Sequence, residues 1–265
     1  MEICCAQIAS VFEEPDTSLA KAENAVQIAV ESGADLVVFP EQFPTGWDPV
    51  STLFSEGPDG PIARHWCRIA CEYGAWIVGS HREEDRSGMR NSAFLVAPDG
   101  MIKARYAKLH LFSHDGEDQV YIAGDDLITF SCSGVEIGLA ICYDLRFPEL
   151  FRRYAEKGAE CMVVPAAWPC RRLNHFHLFV RARAVENQFF VAGVCTTGSN
   201  PVDQYCGGSL VVGPDGEILC SAGEEESLIS ATIDTDMLKR YRRQFPVQKD
   251  IRHDLFLNKD TLKQH

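Results

Sequence analysis

The chain has 265 residues, 46% of them apolar and 24% charged, and carries a formal net charge of −13. Such a length supports an ample core, and these fractions belong to a folded soluble protein rather than a disordered one. The acidic balance excludes nucleic acid and anionic membrane surfaces as partners, because both require clustered Lys or Arg to displace counterions. A small anionic substrate answers to local charge alone and stays open.

Hydrophobic periodicity predicts a strand over 2–9, a helix over 17–32, a strand over 36–39 and a helix over 61–72, with Pro61 in the first turn and Gly74 as C-cap. A short buried strand follows over 76–79. Two hairpins share one template, Ala93-Phe-Leu-Val-Ala-Pro-Asp-Gly100 and Ser209-Leu-Val-Val-Gly-Pro-Asp-Gly216, each turning on Pro-Asp-Gly. The likeness extends to Gly33-Ala-Asp-Leu-Val-Val-Phe-Pro40-Glu-Gln-Phe-Pro44 against Gly158-Ala-Glu-Cys-Met-Val-Val-Pro165-Ala-Ala-Trp-Pro169. Ala70 to Gly79 likewise matches Ala184 to Gly193. Ordered matches of this kind imply an α/β protein of two pseudo-symmetric halves whose sheets face each other, with helices covering both outer faces because mostly apolar strands cannot leave one face wet. No linker separates the halves, so residues 1–265 are read as a single domain. The tail from about 242 keeps apolar residues without periodicity and is read as a segment of a subunit interface.

Met1-Glu2-Ile3-Cys4-Cys5 offers no basic leader followed by an apolar stretch, and no later run approaches ~18 apolar residues, which predicts a soluble cytoplasmic protein. The eleven cysteines are odd in number and scattered through apolar segments, a usage that suits a reducing compartment better than a disulfide framework. No paired CxxC or HExxH spacing supplies a metal-ligand set, so neither metal nor other cofactor is expected.

Three positions carry chemistry. Cys142 follows the apolar run Val135 to Ile141 and precedes Tyr143-Asp-Leu-Arg146-Phe-Pro-Glu149, which places a thiol at a strand-to-helix turn. The start of a helix there would favour thiolate and offer backbone N–H groups to an oxyanion. Glu41 directly follows a strand-ending proline where the second half has Ala166. It is either a solvated loop carboxylate or a desolvated one of raised pKa, as a general base near neutral pH requires. The swap to Ala favours the second reading, since a scaffold role would serve both halves. Lys108, flanked by apolar residues after the first hairpin, either snorkels outward or completes a set of base, cation and thiol.

These segments resemble the nitrilase, or carbon-nitrogen hydrolase, superfamily. Its Glu-Lys-Cys triad matches Phe39-Pro-Glu41, Tyr106-Ala-Lys108-Leu-His-Leu-Phe112 and Ile141-Cys142-Tyr-Asp-Leu-Arg-Phe-Pro-Glu149, and Arg181-Ala-Arg183-Ala-Val-Glu186-Asn187-Gln188 and Gly207-Gly-Ser209 match further segments. The resemblance implies an αββα four-layer sandwich, pairing into a homodimer or higher oligomer, and thioester catalysis. In it Glu41 is the base, Cys142 the nucleophile, and Lys108 with the Tyr143 backbone N–H the oxyanion partners. It also offers Glu117 as a second glutamate, with Asp115 and Asp118 nearby. Within the superfamily the chain is most similar to ω-amidases, through the Cys142 segment, Ala167-Trp168-Pro169 with Arg172-Leu-Asn-His175, and the ending 245–256. That likeness implies a small amide substrate such as 2-oxoglutaramate or 2-oxosuccinamate. Its far carboxylate needs an arginine fork, with Arg172 the first candidate and Arg146 the second, unless Arg146 pairs with Asp144 or Glu149 to pin the nucleophile turn. Trp168 and Phe43 occupy equivalent repeat positions and would wall the pocket or pack in the core. N-carbamoyl compounds, nitriles and aliphatic amides would use the same triad, and an idle dimeric scaffold would use none of it.

Overall fold

The computed structural model describes residues 1–252. In chain order the elements are β1 (Glu2–Gln7), α1 (Pro15–Glu31), β2 (Leu36–Val38), α2 (Pro61–Tyr73), β3 (Trp76–Asp85), β4 (Gly88–Val96) and β5 (Ile102–Ala107). There follow β6 (Thr129–Cys132), β7 (Val135–Leu139), α3 (Pro148–Glu156), β8 (Cys161–Ala166), α4 (Leu173–Asn187) and β9 (Phe190–Cys195). The chain then runs through β10 (Thr197–Ser199), β11 (Gln204–Cys206), β12 (Leu210–Val212), β13 (Ile218–Ser221), β14 (Ser227–Thr232) and α5 (Thr235–Gln244).

Two six-stranded sheets result, ordered β14-β1-β2-β3-β4-β5 and β6-β7-β8-β9-β12-β13. Both run antiparallel, parallel, parallel, antiparallel, antiparallel across their five pairings. The repeat seen in sequence is therefore a repeat of topology. Strand pleating then sorts the side chains. Ile3, Cys5, Leu36 and Val38 share a buried cluster with Ile137, Leu139 and Val163 of the other sheet, whereas Cys4, Ala6 and Val37 pack with Leu19, Val26 and Trp66 of α1 and α2. Phe151, Phe176 and Val180 of α3 and α4 join the cluster of the second sheet. The four layers are thus helices, sheet, sheet, helices. β10 and β11 form a hairpin between β9 and β12 that the first half lacks, since β3 and β4 pair directly.

The predicted elements hold to within one to three residues except β3, which reaches Asp85 rather than ending at Gly79. Its outer part pairs with β4 through Asp85↔Gly88, which apolar periodicity could not show because Arg82 and Glu83 are buried polar residues there. The thiol expectation needs correction: Cys170 and Cys206 form a disulfide. It joins the loop before α4 to β11, where the isolated bridge between Pro169 and Tyr205 already holds the two segments together. The start of the tail lies against its own chain, with Arg242 donating to the Gln188 and Ala159 carbonyls and Gln248 to that of Asn187. Residues 253–265, including the last four of the segment 245–256, lie outside the described residues. No helix among the described residues is long and apolar enough to cross a membrane.

Helix-on-sheet packing at equivalent points uses equivalent glycines. A Cβ at Gly79 would stand 2.8 Å from the Trp66 indole, and one at Gly193 would stand 2.8 Å from both Phe176 and Val180. Gly193→Ala should destabilise the fold by about 1–3 kcal/mol, because neither partner is a flexible end that can retreat. Thermal unfolding of the variant checks this, with an unchanged midpoint as the contrary result.

Candidate active site

The site gathers where four strands end. Glu41 follows β2, Lys108 follows β5, Cys142 follows β7 and Ala167 follows β8. Glu41, Lys108 and Glu117 are each no more than 1% exposed, and Cys142 is 8% exposed. Lys108 Nζ donates to Glu41 Oε1 at 2.8 Å and to Glu117 Oε2 at 2.9 Å and Oε1 at 3.1 Å. Glu41 Oε2 accepts from the Ala167 N–H at 3.1 Å, and Glu117 Oε2 from the Phe112 N–H at 2.6 Å. The second half therefore sends to Glu41 not a carboxylate but the backbone of the strand end that carries Ala166. The Cys142 thiol donates to the Glu41 carboxylate.

Burial raises the proton affinity of Glu41 above the ordinary glutamate range, against the pull of Lys108. For Lys108 burial works toward the neutral amine, yet Glu117, Glu41 and Cys142 together hold the ammonium well above the usual lysine value. Cys142 is pushed well up by burial and then by Glu41, with Lys108 and the Ala167 N–H opposing. The expected helix-dipole preference for thiolate is not met. Cys142 opens a five-residue 3-10 turn, Cys142–Arg146, and α3 begins only at Pro148. The resting thiol keeps its proton, and a base in contact with it is what chemistry here requires.

Cys142 and Gln42 have φ of 44° and 47°, in the left-handed region that non-glycine residues avoid. Both are over-determined by their neighbours. Gln42 is held by the Ser80 hydroxyl and by Arg82 Nε, the latter at 3.1 Å. The Cys142 turn is held by Asp144, whose Oδ2 accepts from the Tyr106 hydroxyl at 2.7 Å and the Ile141 N–H at 2.9 Å. Asp144 Oδ1 faces the His110 N–H at 2.9 Å and His110 Nδ1 at 2.8 Å. Tyr106 and His110 flank Lys108, so one buried carboxylate locks the lysine segment to the Cys142 turn. Arg183 adds two donations to the Leu145 carbonyl, at 3.0 and 2.7 Å.

Cys142 and Lys108 line a small cleft. Its walls include Trp47, Phe112, Tyr143, Trp168, Arg146 and Arg172. Arg172 lies over the Phe112 ring, and Arg146 over the rings of Trp168, Phe179 and Tyr143. Neither arginine meets a carboxylate among the described residues. The alternative in which Arg146 pins the turn through Asp144 is thereby corrected, since both Asp144 oxygens are taken and Arg183 does the pinning. Phe43 is corrected too: it is fully buried and packs on Phe39, 5.5 Å between ring centroids, in the layer under α1 and α2. Sequence reading did not single out Asp144, Asn91 or Phe112 as site residues; the repeat gives no hint of them.

Residues 2–243 match the family model for carbon-nitrogen hydrolases, and the chain belongs to that family. It is an enzyme of the class that hydrolyses carbon-nitrogen bonds other than peptide bonds. The chain is 36% identical to a 2-oxoglutaramate amidase of Bacillus subtilis over 96% of its own length and 98% of that protein. It is 32% identical to an omega-amidase of Homo sapiens over 94% of each. Among solved structures, an amidase from Nesterenkonia sp. AN1, with the acetamide moiety of fluoroacetamide covalently added at its active-site cysteine, superposes with a TM-score of 0.84 at 28% identity, covering 95% of this chain and 97% of that one.

Whichever way an Asp144→Asn amide turns, its NH2 must face a backbone N–H, of His110 or of Ile141. The variant should lose about 3 kcal/mol of stability and roughly 10²-fold in amidase kcat/KM through displacement of the Cys142 turn. Denaturant unfolding and steady-state kinetics check both, and an unperturbed kcat/KM would show that Asp144 does not act through the Cys142 turn.

Proposed function

We propose that the enzyme hydrolyses the terminal amide of small 2-oxo acid ω-amides, such as 2-oxoglutaramate and 2-oxosuccinamate, to the 2-oxo dicarboxylate and ammonia through a thioester on Cys142. The observation that carries this reading is the polarity of the cleft. A buried thiol and ammonium line it, and two half-buried guanidinium groups without carboxylate partners among the described residues stand on its wall, in a chain of net charge −13. Arginines that meet no carboxylate among the described residues of so acidic a protein favour an anionic group on the substrate, and their fork matches a carboxylate. The relatives' activities as 2-oxoglutaramate amidase and omega-amidase support the same class.

In this reading Glu41 takes the Cys142 proton as the sulfur attacks the amide carbon. The carbon-sulfur bond forms while the carbonyl electron pair moves onto oxygen, where the Lys108 ammonium and the Tyr143 N–H stabilise it. Collapse breaks the carbon-nitrogen bond, and Glu41 returns its proton to the departing ammonia. Water, deprotonated by Glu41, then hydrolyses the thioester and frees the thiol. Glu117 keeps Lys108 charged and aimed. Arg172, with Arg146 beside it, holds the far carboxylate against the aromatic wall. The family resemblance further supports a homodimer of the cytoplasm, with the Cys170–Cys206 disulfide the one feature that pulls toward an oxidising setting.

Ammonia release from 2-oxoglutaramate should fall at least about 10³-fold in Cys142→Ala. Arg172→Met should raise KM for 2-oxoglutaramate about 10- to 100-fold while sparing kcat, since binding of the distant carboxylate is lost in ground and transition states alike. An equal effect of Arg172→Met on an uncharged aliphatic amide would argue against the carboxylate contact. Equal ammonia release by the wild type and Cys142→Ala would refute the reading.

A further inference from the structure

Asn91 lies in β4, fully buried, in the strand that separates Arg82 of β3 from the Lys108 segment. Its backbone carbonyl accepts from the Lys108 N–H at 2.9 Å. Its side-chain Nδ2 donates to Glu41 Oε1 at 2.7 Å and to Glu117 Oε1 at 2.9 Å. The orientation of this amide is fixed by its surroundings, because a carbonyl oxygen cannot face two carboxylates. Both amide hydrogens are spent on the two glutamates, and Oδ1 has no hydrogen-bond partner among the described residues.

The two carboxylates are therefore bridged twice, by an ammonium and by a neutral amide. The difference matters once substrate binds. Lys108 must then share its three N–H groups with a developing oxyanion and loosens its hold on Glu41, whereas Asn91 has no such second duty. A second cation in its place would suppress the basicity of Glu41, and an apolar residue would leave two buried carboxylates to repel each other around one lysine.

We propose that Asn91 is a positioning residue of the catalytic centre, fixing Glu41 and Glu117 around Lys108 and favouring the proton-accepting form of Glu41 before the thiol attacks. The inference rests on Glu41 acting as base to Cys142. Removing the amide donors must make Glu41 hold a proton more tightly, so the pH below which the thiol cannot be deprotonated rises.

Iodoacetamide tests this without reference to any substrate: the sulfur-carbon bond forms, iodide leaves and the thiol proton passes to Glu41. The alkylation rate of Cys142, read by peptide mass spectrometry across pH in the wild type, Asn91→Ala and the nearly isosteric Asn91→Asp, gives an acid limb for each. The limb should move up by at least about one pH unit in Asn91→Ala and further in Asn91→Asp, which adds a third carboxylate. Thermal melts show that each protein is folded at the assay temperature. A structural role alone would lower the rates without moving the limb, and coincident limbs in all three proteins would overturn the proposal. A wild type in which Cys142 is labelled no faster than the other free thiols would instead overturn the base-and-nucleophile reading, and this inference with it.

Discussion

The interaction on which the site depends is one ammonium held between two carboxylates out of contact with water. Each ion on its own would cost several kcal/mol to bury. Here the geometry returns enough of that to keep them ionisable: Lys108 spans Glu41 and Glu117, and Asn91 and the N–H groups of Phe112 and Ala167 satisfy further carboxylate lone pairs. The cluster carries one more acid than base. That imbalance, together with burial, makes Glu41 a stronger base than a surface glutamate, which a thiol of raised proton affinity demands.

The pseudo-symmetric sandwich explains how such a cluster can be assembled. Equivalent strands of the two halves end near one another, and the halves diverge at those ends. The first supplies Glu41 where the second supplies Ala166, so the second strand can approach closely enough for its Ala167 N–H to reach the carboxylate. The second half adds what the first lacks, the β10–β11 hairpin. Through the Cys170–Cys206 disulfide and the ion pair of Arg171 with Asp203, that hairpin region anchors the turn bearing Trp168 and Arg172. Glu41, Lys108 and Glu117 come from the first half, and Trp168, Arg146 and Arg172 of the cleft wall from the second.

Much of this was legible in the sequence. Repeated glycines and prolines mark two halves, and the segments around Glu41, Lys108 and Cys142 point to a shared centre. What escaped did so for physical reasons. Asn91 and Asp144 act through hydrogen bonds to residues distant in sequence, and a polar residue within an apolar strand or turn carries no mark of its partner. Phe43 was placed by its equivalence to Trp168, yet the turn at Gln42 sends it into the helix-facing layer. Cys170 and Cys206 are two of eleven cysteines, and only the fold brings them together. The start of a helix after Cys142 suggested a ready thiolate, whereas the turn is too short and the burial too deep for the helix dipole to prevail.

In thioester catalysis by this site Cys142 carries the acyl group. Acid quenching of the enzyme during turnover of 2-oxoglutaramate, followed by peptide mass spectrometry, measures this directly. A transient adduct of the mass of the acyl group remaining after loss of ammonia is expected, confined to the peptide containing Cys142. Steady ammonia release with an unmodified Cys142, or with the adduct on another residue, would contradict it.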